Sequence, residues 1–158
     1  MIKIDIKMMD ELSRLAKLSP RMRQNRNFHT SYDDPVNRML NAVEPEAYFP
    51  PHRHLKPPKR EVFIIFRGRA TMIEFDEGGG ISDLCVLDAR EGRFAAEVAP
   101  GVWHSIVPLE QGTVLYEIKD GPYDKNSDKE FAPWAPSEQD PSAAKYVSGL
   151  LSRISLHS

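Results

Sequence analysis

Five histidines occur in the chain, at positions 29, 52, 54, 104 and 157, and three of them stand where metal chemistry needs them. His52-Arg53-His54 places two imidazoles on one side of an extended segment, because successive side chains on such a segment point to opposite faces. Glu61 opens the apolar run Glu61-Val62-Phe63-Ile64-Ile65-Phe66 and brings a carboxylate to the head of a strand. His104 follows the tight-turn pair Pro100-Gly101 at the head of another strand. Three imidazoles and one carboxylate suit a single borderline divalent ion: Mn, Fe, Co, Ni or Zn. Four protein ligands on an octahedral ion leave two positions for water or substrate, so the ion would act as a Lewis acid or hold a hydroxide. Without a metal, the same histidines are polar residues at a sheet end, and Glu61 pairs with Arg60 or Arg53.

Other residues are placed to serve such a centre. His29 and Tyr123 are candidate proton carriers. Arg21, Arg23, Asn25, Arg38, Asn41, Lys119 and Lys129 are candidate ligand-binding residues, since guanidinium and ammonium groups donate charge-assisted bonds to carboxylates or phosphates. Clustered at one mouth they recognise a small anionic molecule; scattered, they only solvate the surface. His157 is read as part of a terminal tail. Cys85, in an apolar run, is read as a small buried hydrophobe, and Trp103 and Trp134 as packing residues.

The elements that must position these groups follow from periodicity and punctuation. Thirteen prolines against nine glycines imply many loops and strand ends, hence an all-β architecture. Ile2, Ile4 and Ile6 alternate with Lys3 and Asp5, a short strand signal and a candidate edge for a homodimer. A helix follows, with Met8, Met9, Leu12, Leu15 and Ala16 on one stripe, stopped at Ser19-Pro20. Residues 21–35 are polar and read as an ordered loop. Strands are expected at 38–43, 47–49, 61–66, 70–76, 81–87, 93–98, 105–107 and 113–119, with Gly78-Gly79-Gly80 at a hairpin tip. The continuous run at 61–66 suits burial on both faces. A terminal helix has Asp140 as N-cap, Pro141 at its first position, and Val147, Leu150, Leu151 and Ile154 facing inward. One structural domain is expected: residues 1–35 pack on a barrel formed by 36–120, and 121–158 supply a loop and helix.

Composition narrows the function classes. Lys+Arg is 21 against Asp+Glu 23, a net charge of −2, which excludes a uniformly basic face for nucleic acid. The single cysteine excludes an internal disulfide framework. No apolar run approaches the ~20 residues that span a bilayer, and no signal-peptide core leads the chain, so a cytoplasmic protein without a membrane partner is expected.

The metal motif resembles that of the cupin superfamily. Its first motif, Gly-x5-His-x-His-x3,4-Glu-x6-Gly, is matched by Pro51-His52-Arg53-His54, six residues, Glu61, six more, and Gly68. Its second, Gly-x5-Pro-x-Gly-x2-His-x3-Asn, is matched by Gly92 and Pro100-Gly101-Val102-Trp103-His104. The gap from His54 to Glu61 is longer than in the pattern, with Lys56-Pro57-Pro58-Lys59 as a loop insertion; prolines replace the leading glycine, and Pro108 stands where Asn is common. The segments Ser19-Pro20-Arg21-Met22-Arg23-Gln24-Asn25, Asn27-Phe28-His29, Arg38-Met39-Leu40-Asn41-Ala42, Glu117-Ile118-Lys119-Asp120-Gly121-Pro122-Tyr123 and Asp128-Lys129-Glu130-Phe131-Ala132-Pro133-Trp134-Ala135-Pro136 are similar to the WbuC family of cupin-fold metalloproteins. That resemblance implies a small jelly-roll barrel, one divalent metal at His52, His54, Glu61 and His104, and a setting in bacterial surface-polysaccharide (O-antigen) metabolism. It supplies no reaction. A metal-dependent isomerase, epimerase, lyase or dioxygenase, a non-catalytic metal-dependent binding or sensor module, and a metal-free sugar epimerase all stay open.

Overall fold

The computed structural model of the chain describes residues 1–155; the tail assignment of His157 lies outside them. Asp5 caps helix α1 (Ile6–Leu18) by accepting a 2.9 Å hydrogen bond from the Met8 amide, satisfying one of the helix's free N–H groups. The alternation at Ile2–Ile6 is therefore no strand: its aspartate is a cap, Ile6 starts the helix, and the edge proposed for dimerisation is absent. Leu12 and Ala16 are buried with Met8 and Met9 beside them, whereas Leu15 turns outward, 39% exposed.

Ten strands follow: β1 (Arg23–Asn27), β2 (Val36–Val43), β3 (His52–Arg53), β4 (Glu61–Arg67), β5 (Ala70–Phe75), β6 (Ile81–Leu87), β7 (Ala95–Val98), β8 (Trp103–Pro108), β9 (Thr113–Asp120) and β10 (Glu130–Phe131). They form two antiparallel five-stranded sheets, ordered β1-β2-β9-β4-β7 and β10-β3-β8-β5-β6. The sheets close face to face around Val43, Phe63, Ile65, Met72, Leu87, Ile106 and Leu115. The outer face of the first sheet is covered by α1 over Leu40, Ala42 and Val114. The outer face of the second is covered by helix α2 (Ala143–Ser155), whose Leu150 and Ile154 pack on Ile73, Phe75 and Trp103. The all-β jelly-roll barrel with a helix at each end is the expected architecture.

Four local expectations change. Residues 21–35 contain β1, which pairs with β2 from Arg23↔Val43 to Asn27↔Met39; an edge strand lining a wet cleft needs no apolar alternation. Residues 47–49 form no strand, although Ala47 and Tyr48 are buried. Strand β4 is not buried evenly: Phe63 and Ile65 enter the core while Phe66 is 39% exposed. Cys85 is exposed, because β6 is the last strand of its sheet and has a neighbour on one side only. The β4–β5 turn needs Gly68, with φ +76°, since a Cβ there would lie 2.3 Å from Thr113 Oγ1. No helix among the described residues is long and apolar enough to cross a membrane.

Candidate metal centre

Both sheets contribute to one buried cluster. Strand β3 is two residues long and is held between β10 and β8, with His52 paired to Phe131 on one side and His104 on the other. Residues 52 and 54 turn inward; Arg53 between them turns outward, bonded to Glu77 and Glu130 and stacked 4.1 Å over Trp103. Glu61, at the start of β4, faces the histidines from the opposite sheet. The four side chains are all buried, and their ligand atoms lie within 4.8 Å of one another. The six residues between His54 and Glu61 do not hold the carboxylate away. They fold back on themselves, with Leu55 bridged to Pro58 and the buried Lys59 bonded to the Pro122 carbonyl and, at 2.7 Å, to Asp128.

The imidazoles are oriented for coordination. Each turns Nδ1 to a backbone carbonyl: His52 to Pro50 at 3.0 Å, His104 to Val102 at 2.9 Å, and His54 to Asp128. A carbonyl only accepts, so each Nδ1 carries the proton and each Nε2 is left with its lone pair. His52 Nε2 and His54 Nε2 are buried with no hydrogen-bond partner among the described residues. His54 Nε2 stands 3.1 Å from Glu61 Oε1 but out of line for a hydrogen bond, and His104 Nε2 stands 2.7 Å from Glu61 Oε2. Lone pairs facing carboxylate oxygens at these distances require a proton or a cation between them. This donor set fits a borderline divalent ion.

Electrostatics favour the metal-ready forms. Burial, then repulsion from Lys129 and His104, hold the His52 imidazole well below its usual pKa, so it stays neutral. Burial pushes the Glu61 carboxyl up, but the His104 and His54 imidazoles set against its oxygens outweigh it and keep the carboxyl well below the usual range. Behind the cluster, Asp128 accepts 2.7 Å bonds from both Lys59 and Lys119, and Lys119 Nζ lies 3.8 Å from Glu61. Burial and repulsion by Glu61 push the Glu117 carboxyl up; it accepts a 2.6 Å bond from the Asn41 amide.

His52, Glu61 and His104 of the cluster line an inner chamber of about 50 Å³ together with Asn41, Ser105, Glu117 and Lys129, the remaining lining residues being apolar. The chamber's neighbour is an outer cleft of about 1010 Å³ lined by Arg21, Arg23, Asn25, His29, Asn41, Lys119, Tyr123 and Lys129. Arg38 is not among these: it projects from the other face of β2, paired at 3.1 Å with Asp34, because cavity-facing positions on that strand are Asn37, Met39 and Asn41. Arg21 and Arg23 line the cleft but are occupied. Arg21 grips Glu138 through two bonds of 2.7 and 3.0 Å, and Arg23 reaches Glu138 at 2.9 Å and the Tyr48 carbonyl while stacking on Phe49. Met22 between them takes a left-handed φ of +52°. His29 and Tyr123 lie in the outer cleft, and His29 Nδ1 is 3.2 Å from the Arg38 amide nitrogen.

Glu117, Asp128, Lys59, Asn37 and Glu138 escaped the sequence reading. Glu117 and Lys119 share the inward parity of Leu115 on β9, and charged residues at core-facing positions of a strand were the available signal.

Comparison with known proteins places the fold. No curated protein matches the chain. Among solved structures, an uncharacterized conserved protein with a double-stranded β-helix domain from Klebsiella pneumoniae superposes with a TM-score of 0.57 at 15% identity, covering 84% of this chain and 98% of that one. The capsular polysaccharide assembling protein CapF from Staphylococcus aureus gives 0.54 at 17% identity over 68% of this chain and 28% of CapF. Oxalate decarboxylase from Bacillus subtilis gives 0.51 at 18% identity over 69% of this chain, which spans only 27% of that enzyme. These likenesses establish the cupin fold. A family described as a domain of unknown function (DUF6016) matches residues 4–87, which carry His52, His54 and Glu61, and the chain belongs to that family.

Proposed function

We propose that this protein holds one divalent metal ion on His52, His54, Glu61 and His104 and uses it to bind a small polar or anionic ligand. The observation that carries the reading is the shared orientation of three imidazoles, each with Nδ1 bonded to a backbone carbonyl and Nε2 turned to the cluster around Glu61. When bound, the ion supplies a Lewis acid at the floor of the cleft. The chain's own residues do the rest. The apolar wall of the inner chamber limits water, Asn41 and Glu117 offer a donor and an acceptor beside the centre, and the outer cleft admits a ligand larger than the chamber.

The WbuC-like segments and the fold likeness to a capsular polysaccharide assembling protein favour a setting in surface-polysaccharide metabolism. A non-catalytic binding or sensor role is the second reading. It is favoured by the position of His29 and Tyr123, the expected proton carriers, which line the outer cleft and not the inner chamber. The test is elemental analysis of tag-free protein, followed by a ligand screen with sugar acids and nucleotide sugars. Near-stoichiometric metal is expected; metal-free protein that takes up no added divalent ion overturns the reading.

A further inference from the structure

Lys129 is the unexplained charge of the site. It lines both the inner chamber and the outer cleft, and its ammonium makes no hydrogen bond or ion pair among the described residues. The other two lysines of the network are committed: Lys59 and Lys119 both hold Asp128 at 2.7 Å. With every group in its ordinary ionised form, Lys59, Lys119 and Lys129 balance Glu61, Asp128 and Glu117. A divalent ion on the histidine cluster therefore adds two positive charges to a set of side chains that is balanced without it.

An anion restores the balance, and the chamber specifies which kind. Its lining mixes the polar groups named above with an apolar surface made by Val43, Phe49, Phe63, Met72, Ile106 and Leu115. A phosphate or sulfate presents acceptors all round and would leave several of them unpaired against those apolar walls. A carboxylate presents two acceptors at one end and carbon at the other. The volume of about 50 Å³ accommodates such a head group, and the outer cleft takes whatever it is attached to.

We infer that the ligand is a carboxylic acid whose carboxylate sits in the inner chamber between the metal ion and Lys129, so that anion and metal strengthen each other's binding. The inference rests on the metal-binding reading above. Coupling is reciprocal: a carboxylate that tightens the metal is tightened by it to the same degree. Lys129 selects charge and positions the ligand, and it is not needed to hold the ion.

Cobalt(II) tests this, because its visible bands report ligand exchange at the ion without any assay of turnover. Cobalt-loaded protein is titrated with acetate, with the neutral isostere acetamide, and with inorganic phosphate. Acetate is expected to shift the bands saturably, acetamide to leave them unchanged, and phosphate to bind more weakly than acetate. Lys129→Met and Lys129→Gln are each expected to weaken acetate at least tenfold while taking up cobalt as well as the parent or better, cobalt uptake itself certifying that the variant folds. Unchanged acetate affinity in both variants, an equal response to acetamide, or tighter phosphate overturns the inference and leaves the metal reading intact. A parent protein that takes up no cobalt overturns both.

Discussion

His52 and His104 face each other as direct cross-strand partners, their ring centroids 4.5 Å apart on β3 and β8. Each turns Nδ1 to a carbonyl two residues earlier in its own chain, Pro50 for one and Val102 for the other. The same local turn, used twice on adjacent strands, thus presets two imidazoles for one ion. Replacing either with Ala is expected to remove most of the metal while the far-ultraviolet spectrum stays native, since the barrel is held by its apolar strands. Near-stoichiometric metal in a His52→Ala/His104→Ala double variant, read by elemental analysis, places the ion elsewhere.

Glu61 is expected to matter as much as the histidines. The loop before it is longer than in the cupin pattern, yet its oxygens reach 2.7 Å from His104 and 3.1 Å from His54. Glu61→Ala should therefore weaken metal affinity by about 100-fold, the upper end of what even supporting residues of metal sites contribute. A calorimetric loss of under about fivefold would mark Glu61 as a bystander.

Acid should destabilise the metal-free protein in a defined window. His52 has a folded pKa below its unfolded value near 6.5, so below that value the unfolded chain binds the proton more readily and stability falls as pH drops from ~6.5 toward the folded pKa. Glu61, also depressed, adds a further loss as pH falls below its usual value of ~4.5 toward its folded pKa. Each group contributes a slope of at most about 1.4 kcal/mol per pH unit. Denaturant titrations from pH 7 to 5 should show declining stability, and His52→Gln should flatten the upper part of the curve. An unchanged curve in that variant refutes the role of His52.

Asp128 links the loop to the centre: its carboxylate holds Lys59 and Lys119, and its carbonyl receives His54 Nδ1. Asp128→Ala leaves two buried ammonium groups without their partner, a change that typically destabilises by about 3–5 kcal/mol. Metal affinity should fall with it, because the loop that orients His54 loosens. Urea unfolding checks the first effect and a metal titration the second; a loss below about 1 kcal/mol would show that the ammonium groups find water.

Arg21 and Arg23 should separate on substitution. Arg21 is exposed, and its pair with Glu138 is worth no more than about 1 kcal/mol. Arg23 is largely buried, bonded to Tyr48 and stacked on Phe49, and burial with the nearby Arg21 lowers its pKa to about 10. Arg23→Ala should destabilise clearly more than Arg21→Ala, with metal content unchanged in both. Equal effects in thermal unfolding would mean that Arg23 serves the cleft and not the attachment of the 132–140 segment.

The all-β class, the two flanking helices, most strand positions and the four clustered metal donors were legible in the chain, because each depends on local rules. Period-two alternation put His52 and His54 on one side, glycines and prolines punctuated the strands, and residue type named the donors. Tertiary structure decided what local rules do not reach. Register across β3 and β8 paired His52 with His104, and closure of the two sheets brought Glu61 across despite its long spacer. Sheet edges exposed Cys85 and allowed the polar run at Arg23–Asn27 to be a strand, since an edge does not demand an apolar face. Above all, partner choice was invisible in sequence: Arg21, Arg23 and Lys59 found carboxylates far along the chain and Lys119 one nearby, while Lys129 has no ion-pair partner among the described residues. Charge pairing is a property of distance in space, and distance in space is what folding, not spacing, supplies.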